Sequence, residues 1–166
     1  MTKMEDQLQR WKRHFESVLN RPPPSQFPDP RPADVPLNIN TGPISRGEIR
    51  TALTQLKNAK APGVDNIPPE ALKEGGPCTL EALHKIWNFV WEKEEIPDDW
   101  KRGLLVKLAK KGDLTLCGNW RGIMLLSILS KVLTRVILNR MRVAVDKALR
   151  DEQVGFRKDC SCINQN

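Results

Sequence analysis

The first helical pattern of apolar and polar positions lies near the N-terminus. Residues 3–19 carry apolar side chains three to four positions apart, which predicts one amphipathic helix with a single apolar stripe. The members of this stripe are Leu8, Trp11, Phe15, Val18 and Leu19. Residues 22–43 follow with eight prolines, too many for a helix or a central strand, and predict a semi-extended linker. The linker offers the stripe nothing to pack against.

Three further helices are predicted between residues 45 and 97. Ser45 and Glu48 have the spacing of a capping box, and the apolar residues after them predict a helix to about Lys57. A short helix is expected over residues 69–73, where a proline opens the first turn. Residues 80–91 repeat apolar side chains at helical spacing, and the proline that follows a few positions later ends that helix.

The period of the pattern then changes. Residues 103–108 and 120–126 predict two β-strands, and the glycine-containing turn at 110–113 makes a hairpin with a longer loop. Residues 127–150 return to helical spacing over about six turns. The predicted fold class is therefore α+β, predominantly helical, with a small antiparallel β-hairpin.

Charge is segregated along the sequence. The formal net charge is +7, but residues 100–150 hold twelve Lys or Arg against two acidic residues, a local net of +10, which leaves −3 elsewhere. A stretch this basic attracts polyanions, because each neutralised phosphate releases condensed counterions. Charge alone leaves nucleic acid, an anionic membrane surface and an acidic protein as partners, and a merely solvated helix face as the alternative.

The composition excludes several classes of protein. Hydrophobic residues are 39% and charged residues 28%, which is typical of a globular chain. No apolar run approaches the ~18–20 residues of a spanning helix, so no membrane span is expected, and a membrane is not among the expected partners. The charged N-terminus does not resemble a secretory signal, so a cytoplasmic or nuclear location is expected. The four cysteines lack paired spacing, which predicts free thiols and no metal site.

No catalytic constellation emerges from the residues themselves, and the basic hairpin is the most informative feature. Lys107, Lys110, Lys111 and Arg121 lie on the two strands and their connection, where several of the cations could converge on one phosphate group. Trp120 beside Arg121 adds an apolar plane that suits a nucleotide or a single strand. An exposed hairpin with Trp120 buried in the core is an equal alternative.

Four collinear blocks then carry a resemblance to a known family. They are KAPGVDNIPPEALK (60–73), IPDDWKRGLLVKLAKKGD (96–113), NWRGIMLLSILSKVLTRVILNRM (119–141) and DEQVGFRKDCSC (151–162). In order and spacing they resemble the N-terminal part of the reverse transcriptase of LINE-type, non-LTR retrotransposons. The resemblance covers roughly residues 44–162. RWKRHFESVLNRPPP, before these blocks, is similar to the helix and proline linker that precede this domain in one branch of the family.

The resemblance implies an organisation. The matching blocks form the fingers subdomain of a right-hand polymerase, so residues 1–21 are expected to be an N-terminal helix, 22–43 a linker and 44–166 a truncated reverse transcriptase domain. The implied partners are an RNA template and DNA, with a deoxynucleoside triphosphate in the intact enzyme. The oligomeric state is left open.

The resemblance also implies roles for individual residues. Lys110 and Arg121 fall on the positions whose cations hold the triphosphate of the incoming nucleotide. The block after Lys57 is the one that contacts the RNA template in non-LTR enzymes. The expected nucleic-acid-binding residues are Lys60, Lys107, Lys111, Trp120, Gln153, Gly155, Phe156 and Arg157.

The catalytic part of the family is expected to be missing. In these enzymes aspartates hold two Mg²⁺ ions for phosphoryl transfer, and some of those aspartates lie in a tyrosine-containing box. The chain has no tyrosine, so we expect no palm, no thumb, no catalytic residue, no bound cofactor and no polymerase activity from the chain alone. Two alternatives remain: a non-catalytic helical adaptor that binds nucleic acid or protein, and an unstable pseudogene product.

Overall fold

The structure is a computed structural model, and it describes residues 4–27, 29, 35–149 and 153. The chain divides into two compact units. One combines Met1–Ala33 with Leu104–Leu125 and is called the hairpin unit; the other combines Asp34–Gly103 with Leu126–Asn166 and is called the helical unit. None of the described helices is long and apolar enough to cross a membrane.

The hairpin unit consists of one helix and two strands. They are α1 (Met4–Leu19), β1 (Gly103–Ala109) and β2 (Trp120–Leu126), except that Gly103 and Leu126, at the outer ends of the strands, belong to the helical unit. The strands pair with each other, and the backbone N–H of Lys110 donates to the carbonyl of Asn119 at 2.8 Å, which continues the ladder just beyond β1. The two predicted strands and their long connection are confirmed within a residue at each end.

The apolar stripe of α1 packs on this hairpin, which the sequence did not anticipate. Phe15 is buried, and its ring lies so close to Gly122 that a Cβ at that position would be 2.8 Å from Phe15 Cε1. The Trp11 and Trp120 ring centroids are 5.4 Å apart in an edge-to-face arrangement. The two ends of the stripe are exposed to solvent: Leu8 is 61% exposed and Leu19 is 60% exposed. Burial is thus confined to the middle of the helix.

The helical unit contains five of the described helices. They are α2 (Arg46–Thr54), α3 (Pro69–Glu74), α4 (Gly76–Lys93), α5 (Asp98–Lys101) and α6 (Ile128–Ala148). The predicted capping box is confirmed: Ser45 Oγ accepts from the N–H of Glu48, whose carboxylate accepts from the N–H of Ser45. The helix it opens ends three residues before Lys57. Described residues within 22–43 contain no helix or strand, as the prolines predicted.

One apolar core holds the helical unit together. Helix α2 contacts both α4 and α6, and α3 contacts α2 and α4. Burying a large apolar side chain stabilises a fold by roughly 1.5–3 kcal/mol, so this cluster is the main source of stability in the unit. The cluster comprises Ile44, Ile49, Ala52, Leu53, Leu72, Leu83, Trp87, Val90, Ile128, Val132, Leu133 and Val136.

Helix α6 is buried over its first half only. Its N-cap is Ser127, and the buried positions end at Val136, with Ile137 packed at the edge of the core. Farther along, Leu138, Met141 and Val143 are exposed. The helical spacing predicted over 127–150 is confirmed to Ala148, but apolar positions such as Met141 and Val143 in the second half are not covered by the described chain. Helical spacing identifies a face but not the length of the surface that covers it.

Candidate nucleic-acid interface

Lys107 is held by two aromatic rings. Its Nζ lies 4.2 Å from the Trp11 ring centroid and 4.9 Å from the Trp120 ring centroid. A cation over an indole face is attracted by the quadrupole of the ring, by roughly 0.5–2 kcal/mol. The ammonium group of Lys107 therefore interacts with aromatic rings of the hairpin unit itself. These ring contacts distinguish Lys107 from the other three hairpin cations, Lys110, Lys111 and Arg121.

Trp120 serves the packing of the same side of the hairpin. Its indole Nε1 donates to the carbonyl of Leu114 at 3.0 Å, and its ring meets Trp11 edge to face. Trp120 is partly buried against Trp11 and is not part of the apolar core. Because successive side chains of a strand point to opposite faces, Arg121 points away from Trp120. The indole consequently does not lie beside the guanidinium as an open stacking plane.

Arg121 and its neighbours form the outer face of the hairpin. Arg121 is exposed, and within the described chain neither its side chain nor that of Lys111 has a hydrogen-bond or ion-pair partner. Lys110 is exposed too, and its Nζ donates to the carbonyl of Gly118 at 2.9 Å, which leaves two of its three donors unused. The ladder bond from Lys110 places it on the same side as Arg121 by strand alternation. The structure thus brings the two predicted phosphate-binding residues to one face.

The loop that carries these cations is fixed by its own hydrogen bonds. Asp113 accepts from the N–H and the hydroxyl of Thr115, each at 2.8 Å, and these bonds hold the pKa of Asp113 below its usual range. The side-chain amide of Asn119 donates to the carbonyl of Asp113 at 2.7 Å. Gly112 turns the chain with a φ of 106°, which L side chains rarely adopt. The loop geometry is therefore set before any ligand arrives.

Helix α1 adds a cation that charge counting overlooked. The guanidinium of Arg10 donates to the carbonyl of Thr115 at 3.2 Å, so α1 and the hairpin loop meet at a basic residue. The sequence placed the basic surface in residues 100–150 alone. The sequence around Arg10 does not indicate this contact, because Thr115 is over a hundred positions away in the chain.

Lys60 lies in the helical unit, on the loop between α2 and α3. The N–H of Ala59 donates to Glu70 at 2.5 Å, and this bond is the main reason that the pKa of Glu70 is lowered. Lys73 donates to the side chain of Asn58 at 2.5 Å. Lys60 itself is exposed. The loop thus presents one free-standing cation from a backbone that α3 holds in place.

Arg140 on α6 has a structural role, although it was counted with the cationic face of that helix. Its side chain is only 5% exposed and bonds both oxygens of Glu48, at 2.6 and 2.9 Å. It also donates to the carbonyls of Gly42 and Pro43, at 2.7 and 2.8 Å, and covers the Trp91 ring. The Arg140 hydrogen bonds lower the pKa of Glu48 to about 2.

Several expectations fall at the end of the chain. Gly155, Phe156 and Arg157 lie outside the described residues, as do Cys160 and Cys162. Gln153 is described and interacts with other residues. Cys78 and Cys117 are free thiols. In the described ranges, no three side chains of His, Cys, Asp or Glu gather so as to hold a metal ion, and no catalytic step through Mg²⁺ is assigned to them.

Comparison with known proteins gives the class of this chain. It is 30% identical over 111 residues to the Transposon TX1 uncharacterized 149 kDa protein of Xenopus laevis, a match that covers 67% of this chain and 8% of that protein. It is 31% identical over 132 residues to a probable RNA-directed DNA polymerase from transposon BS of Drosophila melanogaster, covering 78% and 15%. No protein-family model matches the chain.

A third relative agrees with these two. The chain is 31% identical over 124 residues to the retrovirus-related Pol polyprotein from the type-1 retrotransposable element R2 of Popillia japonica, covering 74% of this chain and 16% of that protein. The chain belongs to the family of reverse transcriptase proteins encoded by non-LTR retrotransposons. It spans less than a fifth of the length of each of these relatives.

Proposed function

We propose that this chain is a nucleic-acid-binding part of a retrotransposon RNA-directed DNA polymerase and that the outer face of the hairpin is its main contact surface. The observation that carries the proposal is the pair Lys110 and Arg121, exposed on one face beside a loop fixed by Asp113. Family membership supplies the ligand class, since relatives are named as RNA-directed DNA polymerases.

The chemistry of the two cations fits phosphate. The guanidinium of Arg121 offers a planar fork for two phosphate oxygens, and the ammonium of Lys110 adds a point charge with two unused donors. In this proposal the ligands are the backbone of an RNA template or DNA and, in the complete polymerase, the phosphates of a deoxynucleoside triphosphate. The hairpin unit and the helical unit together would correspond to the fingers subdomain.

Lys111 adds a further exposed cation to the hairpin unit, and Lys60 is a separate proposed contact in the helical unit. Both are exposed cations without an ion-pair partner among the described residues, so neither must break an internal contact to bind phosphate. Lys107 and Trp120 are left out, because the contact with Trp11 occupies them. Mg²⁺ enters this proposal only with the complete polymerase, and the described residues are given no part in holding it.

The test is RNA binding by the whole chain at increasing salt. A labelled single-stranded RNA is titrated from about 50 to 200 mM salt against the wild type and the double variant Lys110→Ala/Arg121→Ala. The double variant should bind about tenfold more weakly, with a salt slope smaller by roughly 1.4, because each lost phosphate contact on a single strand removes about 0.7.

A matched control removes the same charge elsewhere. Lys85→Ala/Lys93→Ala deletes two exposed cations of α4 and should bind nearly as the wild type does. Equal weakening of both double variants would show that net charge alone matters, and a wild type that fails to bind RNA at low salt would overturn the proposal.

A further inference from the structure

The loop that carries Lys60 is tied to the beginning of α6 through Asp65. Asp65 Oδ2 accepts from the hydroxyl of Ser127 at 2.6 Å, and its other oxygen accepts from the N–H of Ile67 at 3.3 Å. Both oxygens of the carboxylate are therefore occupied inside the protein. A carboxylate in this state cannot be a contact for phosphate, which it would also repel.

The hydroxyl of Ser127 takes part in two hydrogen bonds, one to the loop and one within α6. Ser127 is 1% exposed and is the N-cap of α6, where its Oγ accepts from the N–H of Leu129 at 3.1 Å. The same hydroxyl donates to Asp65. One buried oxygen thus fixes the first turn of α6 and the loop at once, so the loss of either partner affects the other.

Gly63 brings the two backbones together at the same place. A Cβ at Gly63 would lie 2.6 Å from the backbone of both Leu126 and Ser127, and neither can move aside as a flexible side chain could. The φ of Gly63 is not in the left-handed region, so the glycine is needed for space rather than for conformation. The close approach gives Asp65 its reach to the hydroxyl.

The other end of the loop is held by α3. Ala59 has a φ of 54°, a conformation that is unfavourable for alanine, and Asn66 has the same value, which asparagine adopts more readily. Such a backbone persists only where surrounding contacts hold it. The bonds from Ala59 to Glu70 and from Ser127 to Asp65 are those contacts, and Lys60 lies exposed between them.

We propose that Asp65 is a positioning residue that, by accepting the Ser127 hydroxyl, holds the loop carrying Lys60 in the conformation that meets a nucleic-acid backbone. This inference rests on the proposed function for its ligand. It assigns a role to an acidic residue inside a nucleic-acid-binding block, where charge alone would count against binding. The sign of its effect on RNA affinity separates positioning from electrostatics.

The experiment compares Asp65→Ala, Asp65→Asn, Ser127→Ala and the double Asp65→Ala/Ser127→Ala variant in the full chain. Asp65→Ala should weaken RNA binding by about fivefold, although it removes a negative charge, because a lost hydrogen bond of this kind typically frees the loop by that order. Asp65→Asn keeps an acceptor oxygen and should restore most of the affinity. Asp65→Ala/Ser127→Ala should bind RNA no more weakly than whichever of Asp65→Ala and Ser127→Ala binds it more weakly, because both changes remove the same hydrogen bond.

A second readout follows the loop without RNA. Trypsin under native conditions should cut after Lys60 about tenfold faster in Asp65→Ala than in the wild type, measured for that peptide bond by mass spectrometry. The matched control is Ser45→Ala, which removes another N-cap in the same unit but has no tie to this loop. It should leave cleavage after Lys60 close to the wild-type rate.

The outcomes are separable. Tighter or unchanged RNA binding by Asp65→Ala would overturn the proposed positioning role, as would cleavage after Lys60 that rises equally in Ser45→Ala. Failure of the wild type to bind RNA would overturn the proposed function instead. In that case faster cleavage in Asp65→Ala, rescued by Asp65→Asn, would still support Asp65 as the residue that holds the loop.

Discussion

The two compact units keep their shape in different ways. Twelve apolar side chains form a contiguous core in the helical unit, whereas Phe15 is the one buried apolar side chain among the described residues of the hairpin unit. The hairpin unit relies on the ring contacts of Trp11 and Trp120 and on the ammonium of Lys107. The helical unit is therefore stabilised by a buried apolar core, and the hairpin unit by contacts among partly exposed side chains.

The difference extends to how each unit uses its cations. Arg140 of the helical unit is buried and bonded on all sides, while Arg121 of the hairpin unit is exposed and has no partner within the described ranges. Lys107 lies between these extremes, on the surface but over two indoles. The basic stretch of the sequence therefore contains both structural and available charges, and only the structure tells them apart.

The largest effect should come from the core of the helical unit. Trp87 is fully buried, so Trp87→Ala should lower the free energy of unfolding by about 3–5 kcal/mol. Trp120→Ala in the hairpin unit should lower it by only about 1–2 kcal/mol, because that side chain is only partly buried. Urea unfolding followed by circular dichroism measures both. Equal losses would contradict the contrast between the units.

The next largest effect should come from the buried cation. Arg140→Ala leaves Glu48 and three backbone carbonyls without their donor and should cost about 3 kcal/mol at neutral pH. Lys101→Ala breaks the exposed pair with Asp98 and should leave the free energy of unfolding close to the wild-type value, because solvent screens such a pair. Urea midpoints of unfolding at one pH measure both effects. An equal loss of stability in Lys101→Ala and Arg140→Ala would contradict this prediction.

Acid should reduce the difference between wild type and Arg140→Ala. The pKa of Glu48 falls from an ordinary 4.5 to about 2 in the folded chain, so its contribution is fully present above pH 4.5 and is lost as the pH falls towards 2. In Arg140→Ala that pKa returns towards its ordinary value. The stability difference measured at pH 6 should therefore shrink by about 1–2 kcal/mol at pH 3, and a constant difference would argue against the ion pair as its source.

A smaller effect is expected where α1 meets the hairpin. Gly122→Ala places a methyl group 2.8 Å from the Phe15 ring, so the ring must shift at a cost of about 1–2 kcal/mol. Hydrogen exchange should show faster opening in α1 and β2 and unchanged protection in α4. Uniform loss of protection in both units would contradict their separate stabilisation.

Local sequence signals predicted most of the secondary structure. The capping box of Ser45 and Glu48 marked the start of α2, and the glycine turn at Gly112 marked the hairpin, because both depend on residues close together in the chain. The packing of Phe15 on Gly122 could not be predicted, since periodicity shows that a helix has an apolar face but not what covers it.

The candidate site was predictable to a similar extent. Lys110 and Arg121 were found through the family resemblance, and strand alternation supports their common face. The distinct position of Lys107 depends on Trp11, about a hundred residues earlier, and that of Arg140 on the carbonyls before α2. Asp65 carried no signal beyond its place in a matching block, because its partner Ser127 is 62 positions away.

The most direct test of the central claim compares two cations of the same hairpin. Arg121→Gln removes an outward charge, and Lys107→Met removes a charge held over indoles while keeping an apolar stem against them. The account predicts that the salt slope of RNA binding falls by about 0.7 in Arg121→Gln and stays at the wild-type value in Lys107→Met. Equal slopes in the two variants, or a larger fall in Lys107→Met, would contradict it.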